Sequence, residues 1–198
     1  MMRCPSDSGF PLQSLLTGVR KAGPFQFVEK IKEKIVMRKL MLVVCSLVLC
    51  VNVSMAQKIA SQWKCDAKAA DEHSIAVPDK DGHAYHISQG KCAPEKGAMG
   101  SVKEQEGTWT EFDEIAGGAM KNHGVFVVTL ASGDKVFYDY HGTQTSKDGK
   151  MEAGTNTWTL GGGTGKFKGV KGEGGCKGKG DSDGSSTWNC NGTYSVAK

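Results

Sequence analysis

The residues of this sequence best suited to acid–base or metal chemistry cluster around one hairpin-like stretch. His123, Asp139 and His141 fall at alternating positions that a β-hairpin would place on one face. The preceding segment could add Glu111 or Glu114 to that face. Imidazole and carboxylate groups together bind divalent metals or transfer protons. The same row also arises on the solvated face of any alternating hairpin, which is the simpler interpretation and needs no chemistry.

The hairpin itself is predicted by two alternating segments, 121–130 and 134–145, that flank Ala131, Ser132 and Gly133. A three-residue loop ending in glycine fits a turn whose last residue has a positive φ. Pairing that is symmetric about Ser132 sorts the side chains onto two faces. One face carries Phe126, Val128, Leu130, Val136, Tyr138 and Tyr140, and the other carries His123, Val125, Val127, Phe137, Asp139 and His141. The pattern leaves open which face points inward.

Aromatic side chains form a second set of candidates, because they could line a cavity for an apolar or aromatic ligand. The set comprises Trp63, Trp109, Phe112, Phe126, Tyr138, Trp158 and Trp188. The alternative is that these residues fill a small barrel. As candidate ligand-binding residues we take Tyr138, Trp109 and Trp158 together with the polar group His123, Asp139 and His141. We predict no catalytic residue, metal site or cofactor.

The elements that must position these residues are strands. From Gln57 onward no window has a convincing helical period, whereas several segments alternate with period two between Gly, Asp, Asn or Pro. The predicted strands are 61–65, 71–77, 84–91, 102–115, 121–130, 134–145, 151–160, 172–180 and 186–196. Short strands without helical crossovers predict an all-β domain of about eight strands, either an antiparallel barrel or a sandwich. A barrel has the advantage that it removes exposed strand edges, so we predict an antiparallel eight-stranded barrel.

The N-terminal part of the sequence has the pattern of a secretory signal. Arg38 and Lys39 precede an apolar run of twelve residues, 40–51, which is too short to span a bilayer. Small residues at Ser54 and Ala56 place cleavage before Gln57. We therefore predict a signal peptide at 37–56, a misassigned or disordered extension at 1–36, and one barrel domain at 57–198. The mature chain is expected to be secreted or periplasmic, without membrane insertion.

Charge argues against a nucleic-acid-binding protein. All three arginines precede Gln57, and residues 57–198 contain 17 Lys against 10 Asp and 8 Glu, a formal charge of −1. The net charge of +4 for the whole sequence thus belongs mainly to the N-terminal segment. A basic footprint for nucleic acid is absent from the predicted domain.

Four cysteines remain after Gln57, and an even number in an exported chain indicates two disulfide bonds. Cys176 and Cys190 are symmetric about Asp183 in a turn-like run, and Cys65 and Cys92 are similarly symmetric about the run PDKDG. We predict the pairs Cys65–Cys92 and Cys176–Cys190. A four-cysteine zinc site is disfavoured because no C-x-x-C pair is present.

Glycine recurs every one to four residues between positions 161 and 180, with lysine in most of the gaps. A phosphate-binding loop would need glycine at Leu160 and serine or threonine at Phe167, so no nucleotide site is predicted. Instead, residues 161–165 are expected to turn sharply at a barrel end, with Phe167 and Val170 in the core.

The segment GGTGKFKGVKGEG at 162–174 follows a threonine-rich strand ending in Trp158 and precedes a last strand ending in Gly192, Thr193 and Tyr194. It resembles the closing segment of the allene oxide cyclase-like barrels, which include the dirigent proteins. The resemblance implies an eight-stranded antiparallel barrel with a central cavity, often trimeric. Dirigent barrels are associated with acidic and arginine residues around the cavity, and residues 57–198 contain no arginine, so the dirigent activity is not carried over. The cyclase activity is not carried over either, because its catalytic residues cannot be placed on positions of this sequence.

The sequence therefore predicts an exported barrel that binds a small apolar ligand or a cell-envelope partner without catalysing a reaction. A cyclase- or isomerase-like enzyme working in the cavity is the first alternative. A purely structural or surface-interaction protein with a filled barrel is the second.

Overall fold

The structure is a computed structural model that describes residues 55–147 and 150–196. The predicted extension 1–36 and all of the predicted signal peptide except residues 55 and 56 lie outside the described residues. In the described part of the chain, no helix is long and apolar enough to cross a membrane.

The described residues form ten antiparallel strands and one short 3₁₀ turn at Gly165–Phe167. The strands are β1 Gln57–Cys65, β2 Asp71–Ala76, β3 Ala84–Lys96, β4 Ala98–Met99, β5 Val102–Ala116, β6 Ala119–Leu130, β7 Lys135–Lys147, β8 Lys150–Gly163, β9 Val170–Gly180 and β10 Ser186–Val196. The all-β prediction is confirmed. Several strands are longer than their alternating patterns suggested, and β4 was not predicted.

Eight of these strands close into a barrel. β5 to β10 follow one another as antiparallel neighbours, β10 pairs with β1, β1 pairs with the end of β3, and β3 pairs with β5. The predicted eight-stranded antiparallel barrel is therefore confirmed. β2 and β4 are short additional strands, bound to β3 and β5 respectively.

β1 and β2 share one edge of β3. Cys65 of β1 pairs with Cys92, and Asp71 of β2 pairs with Gln89, so residues 66–70 form a small excursion between them. The amide of Asp66 donates to the carbonyl oxygen of Lys91 at 3.0 Å, which keeps the excursion tied to β3. The structure contains the predicted Cys65–Cys92 bond at this junction.

The predicted Cys176–Cys190 bond joins directly opposed residues of β9 and β10. The hairpin turn at 181–185 places these two cysteines opposite each other, as the symmetry about Asp183 predicted. Each disulfide thus fixes the register of one strand pair.

One end of the barrel is closed by apolar side chains. The turns at 131–134 and 164–169 lie at this closed end, where Gly165 and Gly169 have φ of 52° and 75°. Phe167 is 6% exposed and Val170 is fully buried, as predicted from the glycine-rich segment. Val128, Leu130, Val136 and Met99 complete this part of the core.

The hairpin of β6 and β7 pairs symmetrically about Ser132, with Phe126 opposite Tyr138 and Val128 opposite Val136. Val128, Val136 and Tyr138 are buried, so this face points into the barrel. The face with His123, Asp139 and His141 points outward, and all three side chains are exposed.

Candidate functional site

The barrel holds a cavity of about 160 Å³ above its closed end. Ile59, Ser61 and Tyr138 line its deeper part, whereas Asp66, Gln144 and Ser186 line it near the opposite end. That end, which we call the mouth, carries the turns at 117–118 and 181–185 and the excursion 66–70. A cavity of about 150 Å³ is large enough for one aromatic ring.

Seven aromatic side chains line the cavity. They are Trp63, Trp109, Trp158, Trp188, Phe126, Tyr138 and Tyr140. Trp63 meets Phe126 edge-on at 5.0 Å between ring centroids, and Tyr138 meets Trp158 edge-on at 5.1 Å. Edge-to-face packing of this kind holds the rings in fixed orientations.

Glycines on neighbouring strands make room for these rings. A Cβ atom at Gly174 or Gly192 would overlap the indole of Trp158, and one at Gly90 would overlap the indole of Trp109. The rings therefore lie against bare backbone. The inward-facing glycines of β9 and β10 thus determine how much of the barrel interior the side chains occupy.

Glu111 is the polar centre of the wall. Its Oε2 accepts hydrogen bonds from the Tyr140 hydroxyl at 2.8 Å and from the Asn122 Nδ2 at 3.0 Å. Burial raises the pKa of the Glu111 carboxyl, and these two hydrogen bonds offset part of that rise. Burial and the Glu111 carboxylate raise the pKa of the Tyr140 phenol, so its proton stays in place.

Asp113 lies two residues after Glu111 on β5 and is 2% exposed. Burial, followed by the neighbouring charge of Glu111, raises the pKa of the Asp113 carboxyl to about 7. One of its oxygens, Oδ1, has no hydrogen-bond partner among the described residues. The two carboxyl groups therefore form an acidic pair, with Glu111 in the cavity wall and Asp113 at the next inward-facing position towards the mouth.

A third buried carboxyl, that of Glu104, lies below the cavity floor. Its Oε1 accepts a hydrogen bond of 2.8 Å from the Ser61 hydroxyl, which itself lines the cavity. Burial raises the pKa of Glu104 to about 7, and the Ser61 hydrogen bond opposes that rise. Burial first, and the charge of Glu104 second, raise the pKa of the Tyr138 phenol.

Three buried polar atoms of residues that line the cavity have no partner among the described residues. They are Trp158 Nε1, Asn122 Oδ1 and Asn156 Oδ1. Leaving a buried polar atom unpaired costs about 1–3 kcal/mol, so such atoms usually meet water or a ligand. The wall is thus apolar with a few unsatisfied polar groups.

The structure separates the six candidate residues into two groups. Tyr138, Trp109 and Trp158 line the cavity. His123, Asp139 and His141 lie on the outer surface, where His123 and His141 are register partners. His141 Nε2 and the Thr157 hydroxyl are 2.9 Å apart on that surface, and His123 contacts the Phe112 ring at 5.4 Å between centroids.

Of the two glutamates predicted to join the outer histidines, Glu111 does not, because it points into the barrel, whereas Glu114 lies on the opposite, outer face of β5. Period-two alternation could have revealed this, since Glu111 lies two residues after Trp109 on β5. Asn156 and Trp158 are related in the same way on β8. Phe112, which the aromatic set included, points outward and is 40% exposed.

No protein-family profile matches the sequence, and no curated protein matches it. Among solved structures, the chain is similar to the pterocarpan synthase dirigent protein GePTS1, with a TM-score of 0.44 and 11% identity over 73% of this chain and 89% of that one. It is also similar to the pterocarpan synthase dirigent protein PsPTS1, with a TM-score of 0.43 and 14% identity over 73% of this chain and 97% of that one. Both are dirigent proteins.

Proposed function

We propose that this chain is a non-enzymatic binding protein that holds a small apolar ligand in the barrel cavity. The observation that carries this proposal is the cavity of about 160 Å³, walled by aromatic rings and containing the unpaired indole N–H of Trp158. Small-molecule sites have this composition, with mostly apolar walls and a few placed polar groups. Trp109, Tyr138 and Trp158 are the proposed ligand contacts.

The proposal can be tested by titrating the protein with single-ring probes such as toluene, p-cresol and indole. The intrinsic fluorescence of the four tryptophans that line the cavity reports occupancy by toluene, whereas p-cresol and indole, which absorb in the same region, are followed by the rise in Tm. We expect a saturable fluorescence change and a rise in Tm, because a ligand that binds only the folded state stabilises it.

A matched pair of variants locates the binding. Asn156→Phe adds bulk inside the cavity, whereas Thr157→Phe adds it one residue later on the outer face of β8. Binding should disappear in Asn156→Phe and persist in Thr157→Phe. Equal binding by both variants, or no response of the wild-type protein to any probe, would contradict a ligand site in the barrel.

A cyclase- or isomerase-like activity is the second candidate, and Glu111 favours it. A partly buried carboxyl with a raised pKa, held by Tyr140 and Asn122 at the cavity wall, has the properties of a general acid or base. Native mass spectrometry of protein from its source separates the two candidates. A binding protein retains one unchanged ligand, whereas an enzyme converts its bound substrate during incubation. The open cavity disfavours the third possibility, a filled structural barrel.

Export and self-association complete the proposal. Two disulfide bonds are typical of secreted or periplasmic proteins, and N-terminal sequencing of the exported chain should begin at Gln57.

A trimer or other homo-oligomer is supported by exposed apolar side chains on the outer faces of β2, β3, β5 and β6. They are Ile75, Tyr85, Ile87, Phe112 and Val125, which we call the outer apolar patch.

A further inference from the structure

We infer that the occupant of the cavity is a cationic aromatic amine whose ammonium group lies against Glu111 and the unpaired amide oxygens of Asn122 and Asn156. This inference rests on the proposed binding function and names its ligand class. It follows from the charge of the wall, the balance of its unpaired atoms and its aromatic composition.

The charge of the wall selects against anions. The described residues that line the cavity include two carboxylates, Asp66 near the mouth and Glu111 deeper in, and no Lys, Arg or His. Asp113 adds a third carboxyl group directly beside Glu111. A ligand carboxylate or phosphate would face like charges without a compensating cation, whereas an ammonium group would be attracted.

Most of the unpaired polar atoms of the lining residues are acceptors, so they need a hydrogen-bond donor from the ligand. Asn122 is 6% exposed, and its Nδ2 donates to Glu111, which fixes the amide so that Oδ1 remains unpaired. Asn156 Oδ1 is a second unpaired acceptor. Both hydrogen bonds to Glu111 fall on Oε2, which leaves Oε1 available to a donor. An ammonium group has three N–H donors and no acceptor, so it matches a wall in which unpaired acceptors predominate.

The aromatic wall suits the same ligand. Tryptophan and tyrosine faces attract organic cations, and the volume of about 160 Å³ admits one ring with a short side chain. The unpaired Trp158 Nε1 is a donor, so an occupant with a hydroxyl group in addition to the amine would satisfy it. A hydroxylated arylalkylamine such as tyramine has all three features.

Binding of a cation beside Glu111 and Asp113 should release protons from these carboxyl groups. Several titratable and polar groups face the acidic pair. Tyr140 on β7 and Asn122 on β6 donate hydrogen bonds to Glu111, and Asp66 lies near the mouth. On β3, Ser88 is the register partner of Glu111 and His86 is the register partner of Asp113. A bound ammonium group stabilises the ionised carboxylates and so expels their protons. Affinity for an amine should therefore rise as pH increases from about 5.5 to about 8, a range that includes the raised pKa of Asp113 at about 7.

Isothermal titration calorimetry with three matched probes tests the inference. Tyramine is the cation, 4-ethylphenol is its neutral analogue, and 4-hydroxyphenylacetate is an anion of similar shape. At about pH 8 we expect tyramine to bind at least about tenfold more tightly than 4-ethylphenol, with the anion weakest. Repeating the titrations in buffers of different ionisation enthalpy at about pH 6.5 should show proton release with tyramine and none with 4-ethylphenol.

Three variants test whether the effect comes from Glu111 and its neighbouring carboxyl group. Glu111→Gln should weaken tyramine binding at least about tenfold and leave 4-ethylphenol binding within about twofold. Glu106→Gln makes the same change on the outer face of β5, where Glu106 forms a surface ion pair with Lys91, and should alter neither affinity. His86→Gln should retain the proton release, because the carboxyl groups supply it.

Two results would overturn the inference. One is equal affinity of the wild-type protein for tyramine and 4-ethylphenol, without proton release. The other is a Glu111→Gln variant that loses affinity for both probes to the same extent. Either result leaves the proposed binding function intact if the apolar probes still bind and Asn156→Phe still abolishes that binding. Failure of all probes, apolar and cationic, would remove both proposals.

Discussion

Glu104 is a carboxyl group that folding places below the cavity floor, 7% exposed and hydrogen-bonded to Ser61. Its pKa in the folded protein is about 7, above the value of 4.5 that it has when exposed. The folded state therefore binds this proton more tightly than the unfolded state, and the resulting stabilisation is full below pH 4.5 and lost as pH rises through about 7. For this group alone the loss is about 3 kcal/mol.

The corresponding prediction concerns Glu104→Gln, which keeps an oxygen for the Ser61 hydroxyl and cannot ionise. The variant should match the wild-type protein at about pH 4 and be more stable by about 2–3 kcal/mol at about pH 8, as measured by urea unfolding. Glu106→Gln, an exposed change on the same strand, is the control. A constant difference between Glu104→Gln and wild type at all pH values would show that ionisation of Glu104 is not the cause.

Strand β9 contains five glycines, and the packing around it leaves no room for a side chain at Gly174. A Cβ atom at Gly174 would overlap both the carbonyl oxygen of Asn191 on β10 and the indole of Trp158 on β8. Neither neighbour can move easily, since one is backbone and the other is 4% exposed. The close approach of three strands around this ring therefore requires glycine at 174.

We predict that Gly174→Ala lowers the free energy of unfolding by about 1–3 kcal/mol and shifts the fluorescence of Trp158. Gly184→Ala is an instructive comparison, because its φ of 88° makes that substitution strained while its Cβ would meet only Ala67. Gly184→Ala should destabilise the turn without changing the cavity fluorescence. Identical spectra for Gly174→Ala and wild type would contradict the packing argument.

The two disulfide bonds act on different strand pairs, and their removal should be separable. Replacing both cysteines of a pair by alanine frees a loop of sequence separation 14 for Cys176–Cys190 and 27 for Cys65–Cys92. Loop entropy predicts a loss of about 3 kcal/mol for the first pair and slightly more for the second. Urea unfolding of the two double variants measures both losses. A much smaller loss for Cys65–Cys92 would mean that the excursion 66–70 already holds β1 to β3.

The fold could be predicted from the sequence wherever local symmetry determined it. The register of the β6–β7 hairpin followed from the loop at Ser132, and the Cys176–Cys190 bond followed from the turn at Asp183. The excursion 66–70 and strand β4 could not, because both depend on long-range pairing with β3 and β5. Alternation also assigns residues to faces without saying which face is inside.

The site was predictable to a similar extent. Trp109, Tyr138 and Trp158 are large and apolar, so their burial follows from the hydrophobic effect. Glu111 is charged and would be expected at the surface. It points inward because it shares a face of β5 with Trp109 and has hydrogen-bond partners on two other strands. No local pattern predicts Asn122 and Tyr140 as those partners.

At the scale of the whole molecule, the outer apolar patch predicts self-association. Tyr85 and Phe112 stack at 5.4 Å between ring centroids, and Ile75 and Ile87 are 72% and 52% exposed. Exposed apolar patches on soluble proteins usually mark interaction surfaces. A double variant, Ile87→Ser with Phe112→Ser, should shift the mass measured by light scattering to that of a monomer.

Lys177→Ser, an exposed change on β9 away from the patch, should leave the oligomer intact. Measurements across about a tenfold range of concentration separate a specific oligomer from weak aggregation. A wild-type protein that is monomeric throughout this range would refute the prediction.

The pairing of β1 with β10 also sets the time course of folding. The Tyr194 hydroxyl donates to Gln57 Oε1 at 2.6 Å, a contact between residues 137 positions apart. Contacts of such sequence separation form slowly, and the barrel cannot close until the last strand has been synthesised. Refolding of the disulfide-intact domain should therefore take milliseconds to seconds or longer. During that interval β1 and β10 each present an unpaired edge, which makes this the period in which the chain is most exposed to aggregation.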